Sequence, residues 1–486
     1  MRRAQKARLG LLLAVVLLLS SAAPSFAAES GTLDAAVART ASYVQKTVVS
    51  PQVGSIGGEW AVIALKRSGE DVPTSWYDSY YATVLSTVAE EKGVLSTTKY
   101  TEYSRVILAL AAIGRYGGDV DGYDLLTPLG DYDKTIKQGL TGPAYALIAL
   151  DSLGYAMPEN KASKTKATRE MYVSYLLSRQ LSDGGWSLGG KSADPDTTAM
   201  VLQALANYKT ETAAASAIGK AVARLSVLQN ATGGYESWGA ENSESTAQVL
   251  LALCALGVNA DDSRFVKSDH TLTDALLAYT AGGGFSHTPG GGVNEMATEQ
   301  ALCALTAVKR QRDGQTAFFN MTDALPSVTV PAVASPGKTF SDIGGNENQT
   351  AIEALAARNI LGGMGDGRFE PDRTMTRAEF AAIVTHSLGL APSATNAFSD
   401  VAAGVWYAGY VGTAYRTGII AGVGGEKFDP AGTVTCRQAC LMAGKVAKLC
   451  GRDAPVMDAA ASSNAPILRG QAAQLLYDTL HNAKRL

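Results

Sequence analysis

The sequence predicts a mainly α protein in two parts, an N-terminal α6/α6 toroid followed by C-terminal helical repeats. Three observations predict it. One short apolar pattern returns six times between about residues 30 and 310. Amphipathic stretches with a single wet face lie between its copies. A second and unrelated repeat takes over at Phe340.

The first pattern appears as Trp60-Ala-Val-Ile-Ala-Leu65, Val106-Ile-Leu-Ala-Leu110 and Ala146-Leu-Ile-Ala-Leu150. It returns as Met200-Val-Leu-Gln-Ala-Leu205, Val249-Leu-Leu-Ala-Leu253 and Ala301-Leu-Cys-Ala-Leu305. With the terminal leucine as marker, the spacings are 45, 40, 55, 48 and 52 residues, enough for two helices and their connections. Each copy is apolar nearly all round, the mark of a helix buried on every side. Between two copies, residues 212–229 place Ile218, Val222 and Leu225 at helical spacing, with Lys220 and Arg224 on other faces. Buried and half-exposed helices alternating six times predict two concentric rings. Closure lets each repeat bury a face that it cannot bury alone.

Glycine turns precede the last three buried helices: Asp183-Gly-Gly-Trp186, Gly233-Gly-Tyr235 and Gly282-Gly-Gly-Phe285. Glycine permits the tight reversal, and the aromatic that follows plugs the gap beneath. Tyr175-Leu176, Gln180, Gly184 and Trp186 resemble the Gln-Trp repeat of the squalene-cyclase and prenyltransferase α/α-toroids, the terpenoid-cyclase fold. Gln229 to Tyr235 is a degenerate second copy. The resemblance covers about 280 residues and implies a fold rather than an activity.

The chain opens with a different signal. Arg2, Arg3, Lys6 and Arg8 precede an apolar run from Leu9 to Leu19, and Ser25-Phe26-Ala27 offers small residues where a signal peptidase reads. We expect a secretory leader over 1–27 and no membrane-spanning segment after its removal. Loss of its four positive charges takes the formal net charge from −3 to about −7. No basic block follows, so a nucleic-acid partner lacks an electrostatic footprint. The five cysteines are too few and too scattered for a disulfide framework, and no Cys or His set has zinc spacing. No metal and no cofactor are expected.

The toroid is expected over 28–310. Residues 311–338, punctuated by Pro326, Pro331 and Pro336, read as an extended linker. The second repeat follows, with units at 339–395, 396–453 and, truncated, 454–486. The first runs Phe340-Ser-Asp-Ile343, then Ile360 through Phe369-Glu-Pro371, then Thr376-Arg-Ala-Glu-Phe380. The second has Phe398-Ser-Asp-Val401, Trp406-Tyr407, Phe428-Asp-Pro430 and Thr435-Cys-Arg-Gln-Ala439. The third keeps only Ile467-Leu-Arg-Gly-Gln-Ala472. These units resemble the S-layer homology module. The resemblance implies noncovalent binding to pyruvylated secondary cell-wall polysaccharide, a peptidoglycan-linked polymer, and hence a secreted protein of the cell wall. Carried over by position, it assigns polymer contacts to Thr376, Arg377 and Arg469, with Trp406 lining the groove. A guanidinium fork at a helix start suits an anionic ketal. In the second unit Cys436 stands where the arginine belongs, and Arg437 is one position off.

Within the toroid, Asp194-Pro-Asp196-Thr-Thr-Ala199 resembles the acid motif of class II triterpene cyclases, with Asp196 in the place of the proton donor. Thr197 replaces the aspartate that should follow. Asp194 as N-cap, Pro195 at N1 and Asp196 in the first turn also account for the segment as a helix start. Trp60, Tyr103, Trp186, Tyr235 and Trp238, with Trp76 and Tyr145, are candidates to line a ligand concavity. His287 reads as a loop polar residue. The expectation is a toroid displayed for binding or scaffolding rather than catalysis. The alternatives are an exported toroid enzyme using Asp196 as general acid, or a toroid for cobalamin or another small ligand.

Overall fold

The six apolar copies all become helices. The computed structural model describes residues 26–486 apart from 116, 119, 121–122, 156, 325–327, 393–397, 403, 425 and 451–462, with side chains from Thr32 onward. The N-terminal part runs α1 (Phe26–Thr47), α2 (Trp60–Ser68), α3 (Thr74–Glu90), α4 (Thr101–Ala112), α5 (Thr141–Ser152) and α6 (Arg169–Ser178). It continues through α7 (Pro195–Leu205), α8 (Thr212–Leu228), α9 (Ser243–Leu256), α10 (Leu272–Leu277) and α11 (Glu295–Arg312). The leader expected over 1–27 lies outside the described residues except for Phe26 and Ala27, which open α1.

Helices α2, α4, α5, α7, α9 and α11 hold the marker segments. They are neighbours in that order, and α11 packs back against α2, so the six close on themselves. Their leucines and isoleucines are buried, Ile63, Leu65, Ile107 and Leu147 completely. Outside, α1 covers α2 and α11, α8 covers α6 and α7, and α10 covers α9. The alternation predicts an outer helix between α4 and α5, and there the described residues form only short turns, Thr127–Gly130, Tyr132–Thr135 and Ile136–Gln138.

The last three inner helices start alike. Asp194, Asn242 and Asn294 accept from the backbone N–H groups of Thr197, Ser245 and Ala297 at 2.8, 2.8 and 2.9 Å. Four residues after each cap a threonine hydroxyl accepts the N–H of the preceding turn aromatic. The pairs are Thr198 with Trp186, Thr246 with Tyr235 and Thr298 with Phe285. The glutamine of the turn is a fastener. Gln180 Nε2 donates to the carbonyls of Gly184 and Ala217, and Gln229 Nε2 to those of Gly233 and Phe265. Gly184 and Gly233 adopt φ of +98° and +82°, which side chains resist. Two short antiparallel sheets lead into α9 and α11: β1 (Tyr235–Ser237) with β2 (Ala240–Asn242), and β3 (Thr280–Ala281), β4 (Gly284–Ser286) and β5 (Val293–Asn294).

The expected linker is docked at both ends. Arg67 and Arg310 are buried cations, which must be paired. Arg67 donates to the carbonyls of Phe318, Ala317 and Asn320, and both arginines pair with Asp323. The first half of the segment is thereby part of the ring's core, with Phe318 and Met321 buried. Further on, Thr329 N–H bonds to the Leu388 carbonyl, and Ala334 and Ser335 bond to that of Ala357. Pro326 lies outside the described residues.

The C-terminal part holds α12 (Gln349–Ala356), α13 (Arg377–Ser387), α14 (Ala408–Arg416), α15 (Cys436–Leu449) and α16 (Arg469–Asn482), around a second core. Helix α13 packs on α14, and α16 on both α12 and α15. Backbone bridges Thr376 to Thr433, Thr374 to Leu468 and Thr435 to Pro466 draw the starts of α13, α15 and α16 together. The ring meets this part through Arg115. Its guanidinium lies 4.1 Å from the Tyr81 ring and 4.6 Å from the Tyr415 ring, and it donates to the Tyr415 carbonyl.

Candidate functional site

Two places gather polar chemistry: the convergent helix starts of the C-terminal part and the axis of the ring.

In the C-terminal part the repeated motif residues have repeated jobs. Asp342 accepts the N–H groups of Phe369 and Glu370, and Asp400 those of Phe428 and Asp429, at 2.8 to 2.9 Å. Each thus folds the loop that ends in Phe-Glu-Pro or Phe-Asp-Pro. A Cβ at Gly363 would stand 2.7 Å from the Arg368 carbonyl, and one at Gly422 2.7 Å from that of Lys427, so glycine is required at both. Thr376 caps α13 in a reciprocal pair with Glu379, and Thr435 does the same for α15 with Gln438.

The two expected polymer-binding arginines reach across units. Arg377 donates to the carbonyls of Phe428 at 2.7 Å and Ala421 at 2.9 Å, with its guanidinium 4.7 Å from the Phe428 ring. Arg469 does the same to Phe369 at 2.9 Å and Gly362 at 3.0 Å, and lies 4.5 Å from the Phe369 ring. Each arginine clamps the loop of a neighbouring unit. That explains Cys436: an arginine there would address the same loop of a third unit, and residues 450–468 contain no Phe-x-Pro segment to clamp. Trp406 is 62% exposed and packs edge-on against Tyr407.

On the ring axis lies a cavity of about 520 Å³, with a smaller chamber of about 60 Å³ beneath it. Of the expected aromatics, Trp60 and Tyr145 line the chamber, Tyr145 also lines the main cavity, and Trp238 stands at the cavity's mouth. The others lie elsewhere. Tyr103, Trp186 and Tyr235 are buried beneath loops, with their polar atoms bonded to the carbonyls of Ser96, Leu176 and Leu225. Trp76 is likewise spent on the Val48 carbonyl. These rings fill holes under the glycine turns and against the outer helices, so they do not line the cavity.

The lining that aromatic content does not flag follows from the marker leucines. Five residues before them stand Trp60, Arg105, Tyr145, Met200, Gln248 and Gln300; nine before the last four stand Thr141, Asp196, Glu244 and Met296. A step of four residues keeps one helix face, and all of these except Arg105 line the cavity or its chamber. Counting back from the repeat marker therefore finds the axis. Arg105 turns instead to buried Glu59 at 3.3 Å.

Asp194 is the N-cap that the sequence predicts. Asp196 projects into the cavity, where burial pushes its carboxyl up to about 6, Asp194 and Glu244 add to the rise, and the hydroxyls of Ser245 and Ser237 oppose it. Its Oδ1 is buried without a hydrogen-bond partner. His287 is not an idle loop residue: its Nδ1 lies 2.9 Å from both Glu244 oxygens, at the cavity wall. Among the lining residues there is no lysine or arginine. Among the described residues no group of three His, Cys, Asp or Glu is placed to hold a metal ion, and no helix is long and apolar enough to cross a membrane.

The S-layer homology domain family matches residues 339–381 and 397–439, so the chain carries two such repeats. An exoglucanase of Acetivibrio thermocellus is 44% identical over 98 residues, 20% of this chain and 9% of the relative. An amylopullulanase of Thermoanaerobacterium thermosulfurigenes is 46% identical over 88 residues, 18% of this chain and 5% of the relative. A surface-layer 125 kDa protein of Lysinibacillus sphaericus is 32% identical over 124 residues, 25% of this chain and 10% of the relative. The chain spans a tenth or less of the length of these curated relatives.

Proposed function

We propose that this is an exported surface protein, held noncovalently to pyruvylated secondary cell-wall polysaccharide by its C-terminal repeats and displaying an α6/α6 toroid as a binding module. The observation that carries the reading is the pair of S-layer homology repeats, shared with proteins named for the surface layer. Two of the five N–H donors of Arg377 and of Arg469 hold loop carbonyls. The remaining guanidinium edge is the group offered to a ketal carboxylate, without an ion pair among the described residues in Arg377 and 3.8 Å from Glu379 in Arg469, with Thr376 at the helix start of α13 and exposed Trp406 as the sugar-facing aromatic. The test is sedimentation of the full chain with purified wall sacculi. The full chain should pellet, and Trp406→Ala, which costs little packing, should pellet less. A full chain that stays in the supernatant overturns the reading.

A cavity with an unpartnered buried carboxylate oxygen favours a ring that receives a small ligand over an inert scaffold. A toroid enzyme is the second reading, because an acid raised to about 6 is poised to donate a proton near neutrality. Asp196→Asn separates the two: it abolishes turnover in an enzyme and leaves wall sedimentation intact in either case.

A further inference from the structure

We propose that the ring cavity binds the end of a neutral or amino-sugar glycan, stacked on Trp238 and hydrogen-bonded by the carboxylates and amides of the inner helices. The inference rests on the reading of the ring as a ligand-binding module and names its ligand class.

Three features select that class. The first is the amide floor. Gln203 Nε2 donates to Gln248 Oε1 at 3.0 Å, and Gln248 Nε2 donates to Gln300 Oε1 at 3.1 Å. The chain of amides runs one way and ends on the Gln300 amide, a donor facing the cavity. An apolar ligand would strip water from these groups and return no hydrogen bond, so an isoprenoid does not suit the site. The second is charge. Asp196 and Glu244 line the cavity with no lysine or arginine beside them, and the one imidazole there, His287, is taken up by both Glu244 oxygens, so phosphates, uronates and other anions find no free cation. An ammonium ion would answer the carboxylates but brings donors only, leaving the amide donor unmet. A hydroxyl both donates and accepts. A pyranose therefore satisfies carboxylate and amide together.

The third feature is Trp238. It sits with Gly239 in the two-residue turn joining β1 to β2, and both have positive φ, +55° and +83°. Asparagine or glycine is the ordinary choice at such a turn, and a bulky aromatic there carries backbone strain. Its side chain gains nothing from packing, since Trp238 is 94% exposed. A strained, exposed indole at the mouth of a polar cavity is a platform for the apolar face of a sugar ring. Its turn is fixed to the site, because Ser237 Oγ donates to Asp194 at 2.6 Å. A volume of about 520 Å³ has room for a short glycan end rather than a long chain.

The experiment titrates the full-length chain, by tryptophan fluorescence and calorimetry, with cellotriose, xylotriose, maltotriose, chitotriose, digalacturonate, spermidine and farnesol. At least one of the four neutral or amino trisaccharides should bind. Trp238→Ala and Gln300→Ala should each weaken it by about tenfold or more, while sedimentation with sacculi is unchanged. Trp238 is exposed, so its truncation leaves the fold intact. Binding of spermidine, digalacturonate or farnesol without any of the four trisaccharides overturns the glycan assignment and leaves the ring as a ligand module. If no probe binds, both the assignment and the ring's role as a ligand module fail.

Discussion

Truncating Arg469 to alanine should destabilise the C-terminal part before it affects any polymer contact. The residue is 6% exposed, and its Nε and one Nη hold the carbonyls of Phe369 and Gly362. Removing the guanidinium leaves the buried Phe369 carbonyl unpaired, at about 1 to 3 kcal/mol, while the carbonyl of exposed Gly362 can turn to water. Loss of the stack on Phe369, 4.5 Å away, adds about 1 kcal/mol. A cost of about 3 kcal/mol is expected, and about the same for Arg377→Ala, which makes the matching carbonyl and ring contacts without the 3.8 Å approach of Arg469 to Glu379. Arg437, whose backbone N–H bonds to Ser463 and whose side chain clamps no loop, should cost less than about 0.5 kcal/mol. The assay is urea unfolding of the full chain, with the C-terminal transition followed by proteolysis within residues 339–486. If Arg469→Ala unfolds like the parent chain and still loses the wall, the arginine serves the ligand alone and does not clamp the loop.

Three other outcomes follow from the ring. Glu299 is 1% exposed, and burial first, then Glu295 and Glu59, push its carboxyl from 4.5 up to about 8. A raised acid contributes stability that is full below pH 4.5 and is lost as pH rises through 8. Glu299→Gln should therefore match the parent at pH 4 and exceed it above pH 8 by up to about 4 kcal/mol in urea melts; equal stabilities at both pH values would refute the shift. Gly142→Ala in α5 would place a Cβ 1.9 Å from the Thr135 carbonyl and should cost about 3 kcal/mol, measured as a lowered Tm; an unchanged Tm would contradict that packing. Asp194→Ala loses the cap on Thr197 N–H and the tie to Ser237, and should cost about 1 to 2 kcal/mol by the same melt.

The inner helices were legible because burial on every side leaves no polar face to disguise, so the marker leucines stand out. The cavity was less legible, because aromatic content points to volume rather than to direction. Trp186 and Tyr235 are large because the glycine turns leave holes beneath them, whereas Glu244 and Gln300 face the axis through their place on the helix. Asp196 was visible through its motif, and its capping neighbour Asp194 through its position before Pro195. The segment after α11 hid its docking for a different reason. Its Val, Ala and Pro composition describes an extended chain, and nothing local announces that buried Arg67 and Arg310 require its carbonyls and Asp323. In the C-terminal part the motif arginines were found by position, but their loop-clamping role depends on contacts 51 and 100 residues apart in sequence.

Attachment to a wall polymer is tested most directly by sedimenting the unaltered full chain with two preparations of the same sacculi, one intact and one stripped of secondary polysaccharide by hydrofluoric acid. This comparison needs no variant, so unfolding cannot mimic a loss of binding. The chain should pellet with intact sacculi and remain soluble with stripped ones. Equal pelleting with both would contradict polymer recognition by the C-terminal repeats.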